Sequence, residues 1–336
     1  MNTSQPLVSV IMPTFNDGKF LAEAIDSILA QSHKTFELVI INDGCTDNTE
    51  DIIRNYNDNR IRYIVNSKNR GYIYSLNKGL THAKGTYIAR MDADDRCPPE
   101  RLKKQIEFLE QNKDIGVLGG NMISFKENGE IQYHPFPEKH DAIRARLIFR
   151  NPMAHPTVML RKAIIQKHNI RYNDSYYAAE DFKLWQQLIK YTKFHNLQET
   201  LLYYRIHAGN VSILKQNAQN KTKIKIISEN FQQIAYHAKP ADIKLFTDIV
   251  NTRYDSTHHI KDIIKICQYL TKHALATAEV ESSALKIEIG NLIKDHLTHK
   301  RKYYPSEWRT LLINNSLIQI SLKYYIKTII RSFTKI

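Results

Sequence analysis

The first hundred residues alternate between two periodicities, and this alternation restricts the folds that the chain can adopt. Four short, apolar, β-branched runs predict buried strands: "LVSVIMP" (7–13), "FELVIIND" (36–43), "IRYIVN" (61–66) and "TYIARM" (86–91). Between these runs, apolar residues recur at helical spacing. The resulting βαβαβαβ order predicts an α/β fold with an open, largely parallel sheet and helices on both of its faces.

Polar residues cluster where the predicted strands end. "PTFND" follows the first strand, "NDGCTD" the second and "DADD" the fourth. Open sheets of this class bind their ligands beyond the carboxyl ends of the strands. The sequence therefore predicts a binding site at this edge of the sheet.

The regular alternation does not continue through the rest of the chain. The patterns predict a helix over 180–191 and two short strands at 194–197 and 201–205. Beyond these segments the sequence is typical of helices. We therefore predict a sheet-containing domain over residues 1–212 and a mainly helical C-terminal region over residues 213–336.

The C-terminal region is strongly basic. The 336-residue chain has a formal net charge of +14, and residues 213–336 hold 20 Lys+Arg against 10 Asp+Glu. Within 317–333, apolar residues follow helical spacing while Lys323, Lys327 and Arg331 recur every four residues on another face. This pattern predicts a basic amphipathic helix that binds an anionic membrane surface. A terminal helix packed on its own domain, with a solvated basic face, is the alternative.

The three cysteines and the first residues indicate the compartment. Cys45, Cys97 and Cys267 lie far apart and have no metal-ligand spacing, which favours a reducing compartment over a disulfide framework. No signal peptide and no membrane-spanning run is visible. We expect a cytoplasmic protein.

An Asp-x-Asp sequence ends the fourth predicted strand. Side chains alternate along an extended segment, so Asp92 and Asp94 point the same way and can share one cation. Oxygen ligands suit Mg²⁺ or Mn²⁺. In the alternative interpretation the segment is a loop, and Asp95 caps the helix that "PPERL" begins. The local sequence leaves both interpretations open.

Other candidate residues also have ordinary structural explanations. Glu180 and Asp181 begin an amphipathic helix, where acids interact favourably with the helix dipole. Asp43 precedes Gly44 as many turn residues do, and His207 is a single histidine after a strand. None of these residues identifies a site by itself.

Seven segments together resemble the family 2 glycosyltransferases, which are inverting, sugar-nucleotide-dependent enzymes of the GT-A fold. Within the family, the chain resembles enzymes that make bacterial surface polysaccharide or lipooligosaccharide. The resemblance implies the GT-A sheet, which is Rossmann-like and mixed but mainly parallel. The segments follow the family's order: "VSVIMPTFND" (8–17), "ELVIINDGCTDNT" (37–49), "NRGYIYSLNKG" (69–79), "KGTYIARMDADD" (84–95), "HPTVMLRK" (155–162), "AEDFKLW" (179–185) and "YYRIHAGNVS" (203–212). Nothing after residue 212 belongs to the resemblance. The chain departs from the family at Asn42, where Asp is commoner, and at Cys45, where Ser is commoner.

The resemblance implies a nucleotide-sugar site. Its residues would be Pro13, Thr14, Asn16, Asp43, Asn69, Gly71, Asp92, Ala93 and Arg205. Among them, Asp43 would accept a hydrogen bond from the imide N–H of uracil, a donor that distinguishes uracil from cytosine. Arg205 would contact phosphate.

The resemblance also implies a divalent metal ion, Mn²⁺ or Mg²⁺. Asp94 would bind it directly, Asp92 would contact the ion or the ribose, and His207 would complete the site. The ion would bridge the diphosphate and neutralise charge on the leaving nucleoside diphosphate. Imidazole ligation favours Mn²⁺ over Mg²⁺.

Catalysis, by the same resemblance, would depend on the "ED" pair. Asp181 would be the base that takes the proton from the acceptor hydroxyl, and Glu180 would position the acceptor or the sugar. His155 would line the acceptor side. A structural role before Pro156 is the alternative for this histidine.

The predicted function is inverting transfer of a sugar from a nucleoside diphosphate sugar to a hydroxyl of a saccharide acceptor. The resemblance favours a UDP-hexose or UDP-N-acetylhexosamine donor and a lipid-linked acceptor at the inner face of the cytoplasmic membrane. A nucleic-acid-binding protein is one alternative, but only "KYYIK" interleaves basic and aromatic residues in the expected way. A nucleotidyltransferase is another, although "PTFNDGKF" is a poor match to a Gly-rich, basic phosphate loop.

Overall fold

A computed structural model describes residues 7–251, 260–276 and 280–299. The strands are β1 (Val8–Thr14), β2 (Phe36–Asn42), β3 (Ile61–Val65), β4 (Tyr87–Arg90), β5 (Ile115–Phe125), β6 (Ile131–His134), β7 (Met159–Arg161) and β8 (Lys193–Arg205). The helices are α1 (Leu21–Leu29), α2 (Thr49–Arg54), α3 (Tyr72–His82), α4 (Arg101–Gln111), α5 (His140–Leu147), α6 (Lys162–Lys167), α7 (Glu180–Leu188), α8 (Val211–Leu214), α9 (Gln216–Ile234), α10 (Pro240–Asn251), α11 (Ile260–Ala276) and α12 (Ser282–His299). The predicted membrane helix at 317–333 lies outside the described residues.

The eight strands form one mixed sheet in the order β3-β2-β1-β4-β7-β5-β6, with β8 paired to β5. The first four strands pair in parallel, as the βαβ units require. Strand β7 pairs antiparallel with both β4 and β5, while β8 runs parallel to β5. The predicted fold class, a mainly parallel Rossmann-like sheet with helices and a helical C-terminal region, is confirmed.

The apolar runs form strands because both faces of the sheet are covered. Every residue of β1 and β2 is buried, which explains why their sequences are nearly continuous apolar runs. On α1, Leu21, Ala24, Ile25 and Ile28 form one fully buried face against the sheet. The core thus fixes the strands and leaves their carboxyl ends free to carry polar residues.

One local prediction is wrong, and one alternative that the sequence left open is excluded. Residues 194–197 and 201–205 belong to one strand, β8, whose pairing with β5 changes register near Gly120 and Asn121. The shift absorbs the polar stretch between the two predicted strands, as β-bulges do. Asp95 does not cap a helix: α4 begins at Arg101, and the Asp95 carboxylate accepts a hydrogen bond from the amide of Arg205 instead.

The chain divides into two compact units. One comprises Met1–Ile143 and Asn151–Gln219, and the other comprises Arg144–Arg150 and Asn220–Ile336. The domain boundary after residue 212 stays a prediction.

In the second unit, aromatic rings and a buried acid form the centre. Phe231 and Phe246 stack with their centroids 4.4 Å apart, and Phe149 packs on Phe246 at 5.8 Å. Glu288 is buried and accepts hydrogen bonds from Arg146 at 3.0 Å and Arg150 at 3.2 Å. The short segment that carries these two arginines is therefore part of this unit.

Among the described helices, none combines the length and the apolar character that crossing a lipid bilayer requires.

Candidate active site

The register of the parallel strands brings the predicted polar residues to one edge. Thr14 at the end of β1 is level with Asn42 at the end of β2, and Asn42 is level with Val65 on β3. Arg90 at the end of β4 is level with Ile11, so that the Asp-x-Asp turn follows at the same edge. Segments far apart in sequence therefore meet where ligands of such sheets bind.

Asp43 organises the loop before α3. Its side chain accepts hydrogen bonds from Asn66 Nδ2 at 2.7 Å and from the amides of Arg70 at 3.0 Å and Gly71 at 2.8 Å. Gly44, in the turn after β2, lies close to the backbone of this loop: an added Cβ would be 2.6 Å from the amide N of Asn69. Its φ of +74° also favours glycine at this position. Each carboxylate oxygen has two lone pairs, so Oδ2 can accept a further donor besides Gly71 N–H.

The turn after β1 is fixed by the turn after β2. Asn16 adopts a left-handed conformation with φ +59°, and its Oδ1 accepts from the amide of Thr46 at 2.8 Å. The Asn16 amide donates to Cys45 Sγ at 3.2 Å, so this cysteine takes part in joining the two turns. Asn42 Oδ1 accepts from the Cys45 amide at 2.8 Å.

Asp17 is an acid that the sequence prediction did not include. It accepts hydrogen bonds from the Thr14 hydroxyl at 2.9 Å and from the Phe15 amide at 3.0 Å. Burial raises its pKa to about 6, and the charges of Asp94 and Asp92 add to this effect. It follows "PTFN" directly, and the acidic residue in that polar cluster was the available signal.

Three carboxylates converge after β4. Oxygens of Asp92, Asp94 and Asp95 lie within 4.8 Å of one another, whereas the predicted metal set combined the first two with His207. Burial and mutual repulsion raise the pKa of Asp94 and hold that of Asp95 well above its usual value. The buried Oδ2 of Asp95 has no hydrogen-bond partner among the described residues.

This donor set fits a hard divalent cation. Carboxylate oxygens are the preferred ligands of Mg²⁺ and Mn²⁺, and a cation would relieve the repulsion among these acids. His207 lies beside them, with Nε2 2.9 Å from Asp94 Oδ2. The Gly209 amide donates to His207 Nδ1 at 3.2 Å, so the proton is on Nε2 in this arrangement. For a neutral imidazole to bind a metal ion through Nε2, this proton would have to be on Nδ1 instead, which would then no longer accept from the Gly209 amide.

Arg205 is held by protein groups. Its guanidinium bonds Glu23 at 2.8 Å and the Asp94 carbonyl at 2.9 Å. It lies between the rings of Phe20 and Phe125, at 4.6 and 4.7 Å from their centroids. These contacts fix the Asp-x-Asp turn against the end of β8. The phosphate contact assigned to Arg205 stays a prediction.

Glu180 and Asp181 occupy the first turn of α7 in different environments. Glu180 is buried, and burial together with the charge of Asp181 raises its pKa to about 8, while Arg90 opposes the shift. Asp181 is partly exposed and accepts from Asn151 Nδ2 at 2.7 Å. Ala178, just before this turn, has φ +65°, a conformation that is costly for a non-glycine residue and recurs at functional sites.

His155 is a buried residue. Its Nε2 lies 2.8 Å from the Tyr172 hydroxyl, and its ring packs edge-on to Trp185. Burial keeps its pKa well below the usual value, and the nearby Arg90 adds to this effect. Asn77 on α3 forms two hydrogen bonds with the backbone of Tyr172, at 2.9 and 3.0 Å. The acceptor-side role of His155 stays a prediction.

Comparison with known proteins identifies the family. The family model described as "Glycosyl transferase family 2" matches residues 9–169. An uncharacterized glycosyltransferase of Haemophilus influenzae is 35% identical over 73% of this chain and 79% of its own length. The chain belongs to glycosyltransferase family 2. A second relative of this family 2 enzyme, the O-antigen biosynthesis glycosyltransferase WbnJ of Escherichia coli, is 36% identical over 60% of the chain and 80% of its own length.

Solved structures share the fold of this glycosyltransferase. Staphylococcus aureus TarS (1–349) in complex with UDP-GlcNAc superposes with a TM-score of 0.59 and 18% identity, covering 92% of this chain and 91% of TarS. The mannosyltransferase PcManGT of Pyrobaculum calidifontis, in complex with GDP-Man and Mn²⁺, has a TM-score of 0.54 and 14% identity over 98% of this chain and 88% of its own. At these identities the two likenesses establish the fold alone.

Proposed function

We propose that this glycosyltransferase transfers a hexose or N-acetylhexosamine from a UDP-sugar to a hydroxyl of a saccharide acceptor, with inversion at the anomeric carbon. The single observation that carries this proposal is that one edge of the sheet carries both the Asp43 turn and the carboxylates after β4, of which Asp92 acts electrostatically on Glu180. UDP is favoured because Asp43 retains acceptor capacity for an imide N–H and because TarS was solved with UDP-GlcNAc.

The donor would bind along the carboxyl edge of β1, β2 and β4. Base and ribose would contact the segment of Pro13, Thr14 and Asn16, together with Asp43. Asn69 and Gly71 would lie in the loop before α3 (the nucleotide loop), under the nucleotide, and Asp92 and Ala93 would lie beside the ribose and the metal ion. Arg205 would act there mainly through the backbone of Asp94, since its guanidinium already bonds Glu23.

Asp92, Asp94 and His207 would hold a divalent ion. When bound, Mn²⁺ or Mg²⁺ would neutralise charge on the departing diphosphate. Asn210 Nδ2 donates to the same Asp94 oxygen as His207, at 3.1 Å, and so orients that carboxylate. The Mn²⁺ complex of PcManGT supports a metal-dependent reaction for this fold.

Asp181 would be the base. Glu180, with a pKa of about 8, is mostly protonated at neutral pH and cannot accept a proton, whereas its carboxyl can donate a hydrogen bond. As the acceptor oxygen forms its bond to the anomeric carbon, Asp181 takes the hydroxyl proton. The bond between the anomeric carbon and the diphosphate oxygen breaks, and nucleoside diphosphate leaves.

The product would be a cell-surface polysaccharide or lipooligosaccharide, built on a lipid-linked acceptor at the inner face of the cytoplasmic membrane. The O-antigen role in the name of WbnJ supports this class of product. The basic segment 317–333, outside the described residues, would bind the anionic membrane surface.

A donor-panel assay with Mn²⁺ tests the proposal. Asp94→Ala should lose metal-dependent donor binding, which isothermal titration with UDP measures directly. Asp181→Asn should bind UDP as the wild type does, yet lose turnover by about 10²- to 10⁴-fold, the usual contribution of a general base. Intact turnover in Asp181→Asn would refute the assigned base. Failure of the wild type to use any nucleotide sugar would refute the function.

A further inference from the structure

Arg90 is a buried cation at the last position of β4. The residue is 4% exposed. Its guanidinium donates hydrogen bonds to the Tyr72 hydroxyl and to the Asp92 carboxylate. Its Nε and Nη1 have no hydrogen-bond partner in the part of the chain that the structure describes. Buried guanidinium groups are strongly unfavourable unless they are fully paired, so the location itself requires an explanation.

Arg90 is also one of the residues that line a small cavity. His155, Tyr172 and Trp185 form other parts of its wall. Trp185 Nε1 is also buried without a hydrogen-bond partner among the described residues. Since Nε and Nη1 of Arg90 are unpaired among the described residues, the side-chain hydrogen bonds that hold the guanidinium are those of Nη2 to Tyr72 and Asp92.

Those two bonds join two segments of the donor site. Tyr72 is the first residue of α3, and the residue before it, Gly71, is held by Asp43. Asp92 belongs to the carboxylate cluster after β4. Through Arg90, Tyr72 and Asp92 are therefore joined. This contact connects the nucleotide loop before α3 to the Asp-x-Asp turn after β4.

Arg90 also acts on the opposite side of the site through its charge. It lowers the pKa of Glu180 against the effect of burial, and the charges of Asp92 and Asp95 act on Arg90 itself. Two other buried arginines of this region have different partners: Arg101 donates to the Arg90 carbonyl and to Gln105, and Arg205 donates to Glu23 and to the Asp94 carbonyl. In the part of the chain that the structure describes, neither donates to the Asp92 carboxylate.

We propose that Arg90 is a positioning residue for donor binding: through Tyr72 and Asp92 it holds the nucleotide loop and the Asp-x-Asp turn in the geometry that a metal-bound nucleoside diphosphate requires. This inference rests on the proposed function. Arg90 acts through Asp92 and need not touch the donor.

The test is isothermal titration of the full chain with UDP in the presence of MnCl₂, with GDP as a second nucleotide. Arg90→Met keeps the volume of the side chain and removes both bonds, and should weaken nucleotide affinity about 10- to 100-fold, as loss of a partner that orients a metal ligand does. Arg90→Lys should retain part of the affinity, and Tyr72→Phe should lose less than Arg90→Met because the bond to Asp92 remains.

Arg161→Lys is the matched control. Arg161 donates to the Tyr87 hydroxyl at 2.9 Å and lies over the Tyr87 ring, which reproduces the Arg–Tyr pair at the opposite end of β4. This variant should lower the thermal unfolding temperature and leave nucleotide affinity unchanged. Such a result separates donor positioning from general stability.

The outcomes distinguish the inference from the function on which it rests. If the wild type binds neither UDP nor GDP with Mn²⁺, the proposed function is overturned. If the wild type binds and Arg90→Met binds equally well, or if Arg161→Lys loses as much affinity, the positioning role is overturned and the function stands. Should Arg90→Met fail to fold, wild-type affinity in both Arg90→Lys and Tyr72→Phe would likewise overturn it.

Discussion

Glu180→Gln should remove a pH dependence of stability that is built into the first turn of α7. Burial and the neighbouring Asp181 charge raise the pKa of Glu180 from 4.5 to about 8 in the folded protein. Arg90 opposes this shift and Asp92 adds to it. Gln resembles the protonated carboxyl in shape and cannot ionise. In the variant, the side chain at position 180 is therefore neutral at every pH, whereas Glu180 of the wild type loses its proton as the pH rises.

The sign follows from the proton balance. Between pH 4.5 and about 8 the folded protein holds a proton that the unfolded chain has released. The folded state then binds more protons, so the free energy of unfolding falls as the pH rises through this window. A difference of one in pKa corresponds to about 1.4 kcal/mol. Across this window the free energy of unfolding of the wild type therefore falls by at most about 5 kcal/mol through the ionisation of Glu180. Part of this change is due to the charge of the neighbouring Asp181.

The measurement is the free energy of unfolding in urea, at several pH values across this window, for the wild type and Glu180→Gln. The stability of the variant relative to the wild type should rise steadily with pH and become constant above a pH of about 8. Glu107→Gln, at an exposed position of α4, reports the effect of removing one acid from the surface. A difference between Glu180→Gln and the wild type that does not change with pH would refute the assignment of a buried, protonated Glu180.

Other substitutions test the geometry of the site. Gly79→Ala should destabilise the protein by about 1–3 kcal/mol in urea unfolding, despite the better helix propensity of alanine, because the new Cβ would lie 2.4 Å from Ile11 Cγ2. A neutral or stabilising result would show that α3 moves freely on β1. Asn77→Ala should cost about 2 kcal/mol through the two lost bonds to the Tyr172 backbone, and unchanged stability would contradict their importance. His207→Ala should lower the affinity for Mn²⁺ more than that for Mg²⁺ in metal titrations with UDP. An equal loss for both ions would argue against a histidine ligand.

Much of the fold could be predicted because its signals are local. The buried runs around Val10 and Leu38 have a strand-like pattern whatever their partners are, and the order of strands and helices then restricts the topology. The single strand β8 was missed because its polar middle, residues 198–200, interrupts the pattern, and pairing with β5 overrides the local signal.

Some residues of the candidate site could likewise be predicted from the sequence, and others could not. The acids Asp92, Asp94, Glu180 and Asp181 were visible as short motifs, and their order along the chain matched a family. Arg90 interrupts an apolar strand in "YIARM", and this was the only signal of its presence in the site. Asn151, which bonds Asp181, had no signal that separated it from other loop residues.

The sequence by itself determined the class of fold, the edge at which polar residues gather and the family, because periodicity and motif order are properties of the chain. Only the tertiary structure decided what those residues do to one another. In the folded protein, Asp95 accepts a hydrogen bond from the amide of Arg205, and the guanidinium of Arg205 binds Glu23. Burial beside Asp181 raises the pKa of Glu180 to about 8. The two hydrogen bonds join groups that are 110 and 182 residues apart in the chain, and the burial that raises the pKa of Glu180 exists only once the chain has folded.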